Sequence, residues 1–577
     1  MGSSAIKPPS TFAEENSAAA GTVHVALSVA AVLLGLETYF GNIMFSENAA
    51  MMAVCYPLAV LALCFGWRAN SARPIGERQT AGYIITLALA VWQIVCLIAN
   101  AGILFIESYQ WVYITILPCA LLLNPNPRAA RTQTGIAAAL VVLPMILFGW
   151  LGVYMWRIGA TNASMSFIRL PGSFIITEQT HFEDSRLMLF LINSNLLAPI
   201  ALGGALLSIW RLMPSPGGSA RKGDKKSFIR AIWIIIIKLY FLIGAIMSYL
   251  VLILTQTATA YIALCAAAAF IAFLLTLRAF QAPSANSEGR TGSRRPFMQR
   301  KGAWPLRALA AIMMAAILFI ATYLISDPVR DLIRWSPSPA SAESAIPSAE
   351  EGAAGEGMSS AAQTPPSISL IASDAPDSIT GASETAPSAE ATAEATVAPT
   401  VSPAPLAWRA GHTFQSKDIL QRLETLLSGD NRMQVWRLIF TMFKSDPARL
   451  LFGIAPSDMR EALYPYAEAS GASNLAAIIN NNNAHNSYLQ TILSSGLPGL
   501  ILWLALAAWA FFPAARKCLN RGVPARSAFL LGFAAACLIM GLAESHYLAQ
   551  GFVMNLVFFI ALGAARTEAA DDGQADR

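Results

Sequence analysis

Apolar runs long enough to cross a bilayer recur along this chain, and no other feature limits its fold more. Lipid offers backbone N–H and C=O groups no partners, so a crossing segment must bond internally, and a helix needs about 20 mostly apolar residues to span the hydrocarbon. Such runs fall at residues 21–40, 49–67, 81–101, 106–124, 134–156, 188–210, 231–253, 260–278, 306–325, 497–513, 527–545 and 549–565. They predict an all-α polytopic membrane helix bundle with about twelve transmembrane helices. Composition agrees: 55% of the 577 residues are hydrophobic and 13% charged, where an average soluble domain is about a quarter charged. The first run lacks a basic flank before it and a small-residue cleavage site after it, so it reads as a retained span and not as a signal peptide.

Lysine and arginine placement sets the direction, because short loops rich in them stay cytoplasmic. Arg68, Arg73 and Arg78 follow the second run, Arg128 and Arg131 the fourth, and Arg211, Arg221, Lys222, Lys225, Lys226 and Arg230 the sixth. Arg278, Arg290, Arg294, Arg295, Arg300, Lys301 and Arg307 follow the eighth, and Arg516, Lys517, Arg521 and Arg526 the tenth. The opposite short loops hold Arg157, Arg169 and Arg186. Every second loop is basic, which predicts that both termini are cytoplasmic. The net charge of +5 follows from this topology and calls for no nucleic acid partner. The seven cysteines lie in spans or beside the cytoplasmic face, at spacings that match no metal site, and read as small packing residues.

The expected organisation is a cytoplasmic tail over residues 1–20, spans one to nine over 21–325, a large extracytoplasmic loop over 326–496, spans ten to twelve over 497–565 and a second tail over 566–577. Within the loop, Ser336 to Leu406 is rich in alanine, serine, proline, threonine and glutamate and has no lysine or arginine. It lacks the apolar content to offset chain entropy and reads as a disordered acidic insert. Residues 407–496 read as a helical subdomain. In "SKDILQRLETLLSG", Ile419, Leu420, Leu423, Leu426 and Leu427 share a helical face that Gly429 ends. "DNRMQVWRLIFTMFKSDP" predicts a second helix that starts at Asp430 or Asn431, sets Arg432 and Trp436 one turn apart, and stops before Pro447.

The most polar run, Asn480 to Asn483, leads into "AHNSYLQTILSSGLPGLILWLALAAWAFF", which predicts a short helix from about His485, a break at Gly496 to Gly499 and then span ten. At such a helix start, exposed amides and the dipole favour an anionic ligand and a neutral imidazole. Arg432 stands near the start of its own helix, where the dipole disfavours a cation, and this misfit points to a negative partner. A histidine suits proton transfer at neutral pH, and an arginine grips phosphate oxygens through paired hydrogen bonds. Arg169 joins these candidates, followed by His181, Glu183, Arg330 and Arg334. Taken by itself, Trp436 suits an interfacial anchor. The alternative is a twelve-span transporter or flippase of lipid-linked glycans, but few span centres hold an ionisable residue and the halves show no repeat.

"AHNSYLQTILSSGLPGLI" resembles the histidine motif of the O-antigen ligase and polysaccharide polymerase superfamily. "NRMQVWRLIFTMFKSDPARLLFGI" resembles its Arg-x-x-x-Trp helix, and "RLPGSF" with "NSNLLA" is similar to its shorter external motif. The resemblance implies a GT-C-like helical fold and an inverting glycosyltransferase in the bacterial cytoplasmic membrane. Such an enzyme moves a glycan from an undecaprenyl diphosphate donor to a hydroxyl of a glycan, lipid or protein acceptor at the outer face, with no metal and no cofactor. It implies catalytic roles for His485, which would activate the acceptor or orient the donor, and for Arg432, which would offset charge on the departing diphosphate. Arg169, Asn486 and Trp436 become the candidate substrate-binding residues. Where the family commonly has Ser-Arg-Gly at the outer end of span seven, this chain has Ala258 in the arginine's place.

Overall fold

The computed structural model describes residues 9–40, 45–72, 79–100, 117–158, 162–170, 174–183, 186–189, 194–214, 226–281, 304–333, 431–454, 459–469, 484–519, 525–544 and 553–575. All of them belong to one compact unit, formed from Met1–Trp335 and Leu406–Arg577. The helix expected over residues 416–429, the acidic insert and Arg334 lie outside the described residues.

Helices dominate, in keeping with the apolar runs. In order they are α1 (Pro9–Phe40), α2 (Phe45–Ser71), α3 (Thr80–Ala99), α4 (Pro127–Ile158), α5 (Ser194–Leu212), α6 (Lys226–Thr255), α7 (Ala258–Gln281) and α8 (Trp304–Ile333), then α9 (Asn431–Ser445), α10 (Pro447–Phe452), α11 (Met459–Ala469), α12 (Ser487–Cys518), α13 (Ser527–Met540) and α14 (Val553–Ala575). Six of them hold stretches long and apolar enough to cross a membrane: Thr80–Ala99, Pro127–Arg157, Ala231–Thr255, Ala258–Phe280, Pro305–Ile325 and Ser487–Cys518. Ser17–Leu33, Leu197–Leu212 and Ser527–Met540 are apolar but shorter. The membrane helix bundle therefore stands, while the described residues do not reach the expected count of twelve spans; the run at 106–124 falls largely outside them.

One departure from an all-α fold lies between α4 and α5. Three strands, β1 (Asn162–Leu170), β2 (Phe174–Glu183) and β3 (Arg186–Leu189), form an antiparallel sheet in the order β1-β2-β3, with a register shift between Ser166 and Arg169. The segment "NASMSFIRL" is too short and too polar to span, and β-branched, aromatic and alternating residues with Pro171-Gly172 between the strands suit a hairpin. The sheet packs on α4, α5 and α6.

The bundle core is centred on α14, which packs on α1, α4, α12 and α13. Phe558 and Phe559 are fully buried there, with Trp503 of α12 stacked on Phe558 at 5.7 Å and edge-on to Phe559 at 5.5 Å. By contrast α6 and α8 expose Ile235, Ile243, Leu309 and Ile317, which water would not tolerate over whole helix faces and lipid accepts. A second, smaller core joins Val435, Ile439 and Met442 of α9 to Leu463 of α11 and Leu489 and Leu493 at the start of α12. This is where the apolar face of the Arg432 helix is buried.

Candidate active site at the start of α12

The segment from Ala484 to Gly499 folds as its residues demand. Asn486 caps α12: its Oδ1 accepts from the amides of Tyr488 and Leu489, both at 3.0 Å. Ten residues on, Gly496 adopts φ 66° and ψ 176°, which divides α12 into a short first part and the long apolar helix that follows. Any β-carbon there would stand 1.8 Å from the Leu451 carbonyl oxygen. Only glycine permits this conformation and this approach together. Gly453 faces it with φ 74°, and the Ile454 amide donates to the Leu493 carbonyl at 2.7 Å, so the α9–α10 arm is sewn backbone to backbone onto the break. Trp92 of α3 donates its Nε1 to the Ser495 carbonyl at 2.8 Å and satisfies a group that the break frees.

His485 occupies the residue before this cap, with φ 49°. The left-handed region costs an L-residue with a β-carbon roughly 1–2 kcal/mol, so its neighbours must hold it there. On one side, the Ala484 amide donates to Gln490 Oε1 at 2.8 Å and its carbonyl accepts from Trp436 Nε1 at 2.8 Å. On the other, the Asn486 amide group donates through Nδ2 to the Leu542 carbonyl at 2.8 Å. The imidazole is half-buried, with its Nδ1 shielded from solvent.

The Asn486 bond is one of several that reach one short segment, the turn that leaves α13. In the last turn of α13 the Cys537, Ile539 and Met540 carbonyls accept from amides of Gly541 to Glu544, so it is the carbonyls of the turn itself that need partners from elsewhere. Here they are taken in succession: Gly541 by the Ser487 amide at 2.8 Å, Leu542 by Asn486, Ala543 by Arg432 Nη1 at 2.9 Å, and Glu544 by the Ser487 hydroxyl. Tyr488 adds its hydroxyl to the Leu538 carbonyl at 2.6 Å. A guanidinium suits this place because the C-terminal end of a helix carries partial negative charge. Arg432 Nη2 also pairs with the Glu544 carboxylate at 3.3 Å, the two side chains being 15% and 1% exposed.

Two expectations change in consequence. The first-turn amides of α12 are not open to an anionic ligand, since the Gly541 carbonyl, the Asn486 carboxamide and the Asn486 carbonyl, which takes the Gln490 amide at 2.8 Å, occupy them. The misfit of Arg432 at the start of α9 is answered from within the chain, by Glu544 and the end of α13. Sequence reading passed over Glu544, whose one signal is a carboxylate standing alone at the end of the apolar run 527–543.

His485, Asn486, Arg432 and Trp436 are thus brought together. Arg169 lies on a different element, its backbone on β1 in register with Ile175, and His181 and Glu183 lie on β2. Ala258 opens α7 behind a turn in which Gln256 has φ 49°, and it is 5% exposed. An arginine side chain has no room at that position. Among the described residues no group of histidine, cysteine and carboxylate side chains is arranged to hold a metal ion.

No curated protein matches the chain. Over residues 389–504, which include Arg432, Trp436, His485 and Asn486, the chain matches the family model described as O-Antigen ligase, Wzy_C.

Proposed function

We propose that the protein is an inverting glycosyltransferase that takes a glycan from an undecaprenyl diphosphate donor at the outer face of the bacterial cytoplasmic membrane and joins it to an acceptor hydroxyl. The family match supports an O-antigen ligase or polymerase type of function in general. The observation that carries the finer reading is the constraint on His485. Its backbone is kept in a costly conformation by Trp436, Gln490 and Asn486, and strain of this kind persists where the surroundings over-determine it and clusters at functional sites.

In this reading the His485 imidazole takes the proton of the acceptor hydroxyl as its oxygen attacks the anomeric carbon. The bond from that carbon to the diphosphate breaks with inversion, and the diphosphate departs with the electron pair. Arg432 has five N–H donors, of which Ala543 and Glu544 engage two, and the guanidinium both holds the histidine segment on the α13 turn and meets the diphosphate oxygens. Asn486 and Trp436 act through the backbone that they pin, a change from direct substrate binding. Arg169 supplies the further cation that a diphosphate needs. The acceptor is a glycan, a lipid or a protein side chain. The test gives purified full-length protein a defined undecaprenyl diphosphate oligosaccharide, alone and with candidate acceptors. A ladder without added acceptor means polymerase, a single conjugate means ligase, and failure to consume the donor under any condition rejects the reading.

A further inference from the structure

At the other end of α13 from the His485 site lies a second group of charges. Glu568 of α14 is fully buried and accepts from the Ser527 hydroxyl at 2.7 Å, and its Oε1 lies 2.8 Å from Arg526 and 3.5 Å from Arg131. Since α13 has 14 residues, this group is about 21 Å from the turn at Gly541. It belongs with the basic loops, which the charge rule assigns to the cytoplasmic leaflet.

Arg211 stands beside the group. It is close enough to Arg526 for the two charges to oppose one another, yet no carboxylate pairs with it among the described residues. Arg211 is exposed, so its guanidinium can reach an anion at the protein surface.

Arg131 and Arg211 also line a cleft of about 410 Å³ between α4, α5 and α6, whose other walls include Ile236, Ile237 and Tyr240. The Tyr240 hydroxyl is tied to the Ala139 carbonyl at 2.7 Å. Ile236 and Ile237 of its wall are 49% and 39% exposed, on a helix apolar enough to face lipid. Two guanidiniums at the head of a mainly apolar cleft fit a ligand that has an anionic phosphate at one end and hydrocarbon at the other.

We propose that this cleft binds the headgroup of an anionic phospholipid, with the phosphate between Arg131 and Arg211 and the acyl chains along α6. Basic pockets between membrane helices near the cytoplasmic surface are suited to such headgroups. A free phosphate would meet the same arginines but make no use of the isoleucine wall or its opening to lipid.

The test compares spin-labelled phosphatidylglycerol with spin-labelled phosphatidylcholine on the full-length protein in phosphatidylcholine bilayers. The wild type is expected to prefer phosphatidylglycerol, and Arg211→Gln to lower the preference about fivefold. A second variant keeps every charge. A β-carbon at Gly135 would stand 3.7 Å from the Arg211 guanidinium carbon, so Gly135→Leu fills the head of the cleft and is expected to lower the preference by a similar factor; it decides the matter should Arg211→Gln fail to fold. Equal binding of both lipids to the wild type, or a preference that survives both variants, overturns the proposal. Complete displacement of phosphatidylglycerol by inorganic phosphate overturns it too, because the cleft would then recognise phosphate and not lipid.

Discussion

Breaking the Arg432–Glu544 pair should destabilise the protein before it tells anything about catalysis. Glu544 is 1% exposed, so Arg432→Met leaves a carboxylate without its counter-ion in a nearly dry setting. Removing one partner of a buried pair costs roughly 3–5 kcal/mol. The arginine itself is 15% exposed, which lets water enter the vacated space and sets the expectation at the lower end, about 3 kcal/mol, lost hydrogen bond to Ala543 included. Glu544→Gln keeps the shape and an acceptor for Nη2, and the end of α13 still compensates the guanidinium in part, so about 1–2 kcal/mol is expected. Together, Arg432→Met and Glu544→Gln should be coupled by about 2 kcal/mol, because the double variant leaves no buried charge unpaired. Unfolding midpoints and slopes in mixed micelles of dodecyl sulfate, measured for the four proteins, yield this number. Additivity to within about 0.5 kcal/mol would refute the pairing as a source of stability. Turnover of a lipid-linked donor then separates the two roles of Arg432. The double variant should lie about 2–3 kcal/mol below wild type, no less stable than Arg432→Met alone, while its turnover stays about a hundredfold low, the scale of losing one transition-state donor. Recovery of turnover in the double variant would mean that the guanidinium only positions the histidine segment.

The other substitutions test the local geometry. His485→Gly accepts φ 49° without strain and should hold stability within about 1 kcal/mol of wild type, the relief being offset by glycine's chain entropy; donor turnover should fall at least about a hundredfold, and wild-type turnover would reject His485 as the acting base. Gly496→Ala drives a β-carbon to 1.8 Å from the Leu451 oxygen and should cost more than about 4 kcal/mol, read as loss of folded protein on size exclusion; a wild-type elution profile would contradict the close approach of the two backbones. Ala258→Arg buries a guanidinium where the side chain is 5% exposed and should destabilise by about 3 kcal/mol or more. It should not tighten donor binding, and a folded variant with higher donor affinity would show that the position opens on the site.

What the sequence disclosed, and what it withheld, divides by range. The helix start near His485, the break within Gly496 to Gly499 and the stop before Pro447 are local: each follows from residues acting within a few positions, and each stands as read, although the cap at Asn486 was not foreseen. The apolar face of α9 was equally legible in its spacing, though not the partner that buries it, the first turns of α12 with α11. The sheet at β1–β3 escaped notice because its strands sit between two strong helical signals and alternate over only a few residues. Glu544 escaped for a different reason. It meets Arg432 across 112 positions of chain, and no periodicity links an arginine on one helix to a carboxylate at the end of another. The local misfit of Arg432 was sound physics, since a cation at a helix start does need a negative partner, but a sequence cannot say whether that partner comes from the chain or from a ligand. The answer bears on the chemistry. A guanidinium already opposed by a resident carboxylate brings less net charge to a departing diphosphate, so the proposed transfer requires a second cation, and Arg169 on β1 is the candidate whose removal should weaken donor binding while leaving the Arg432–Glu544 coupling unchanged.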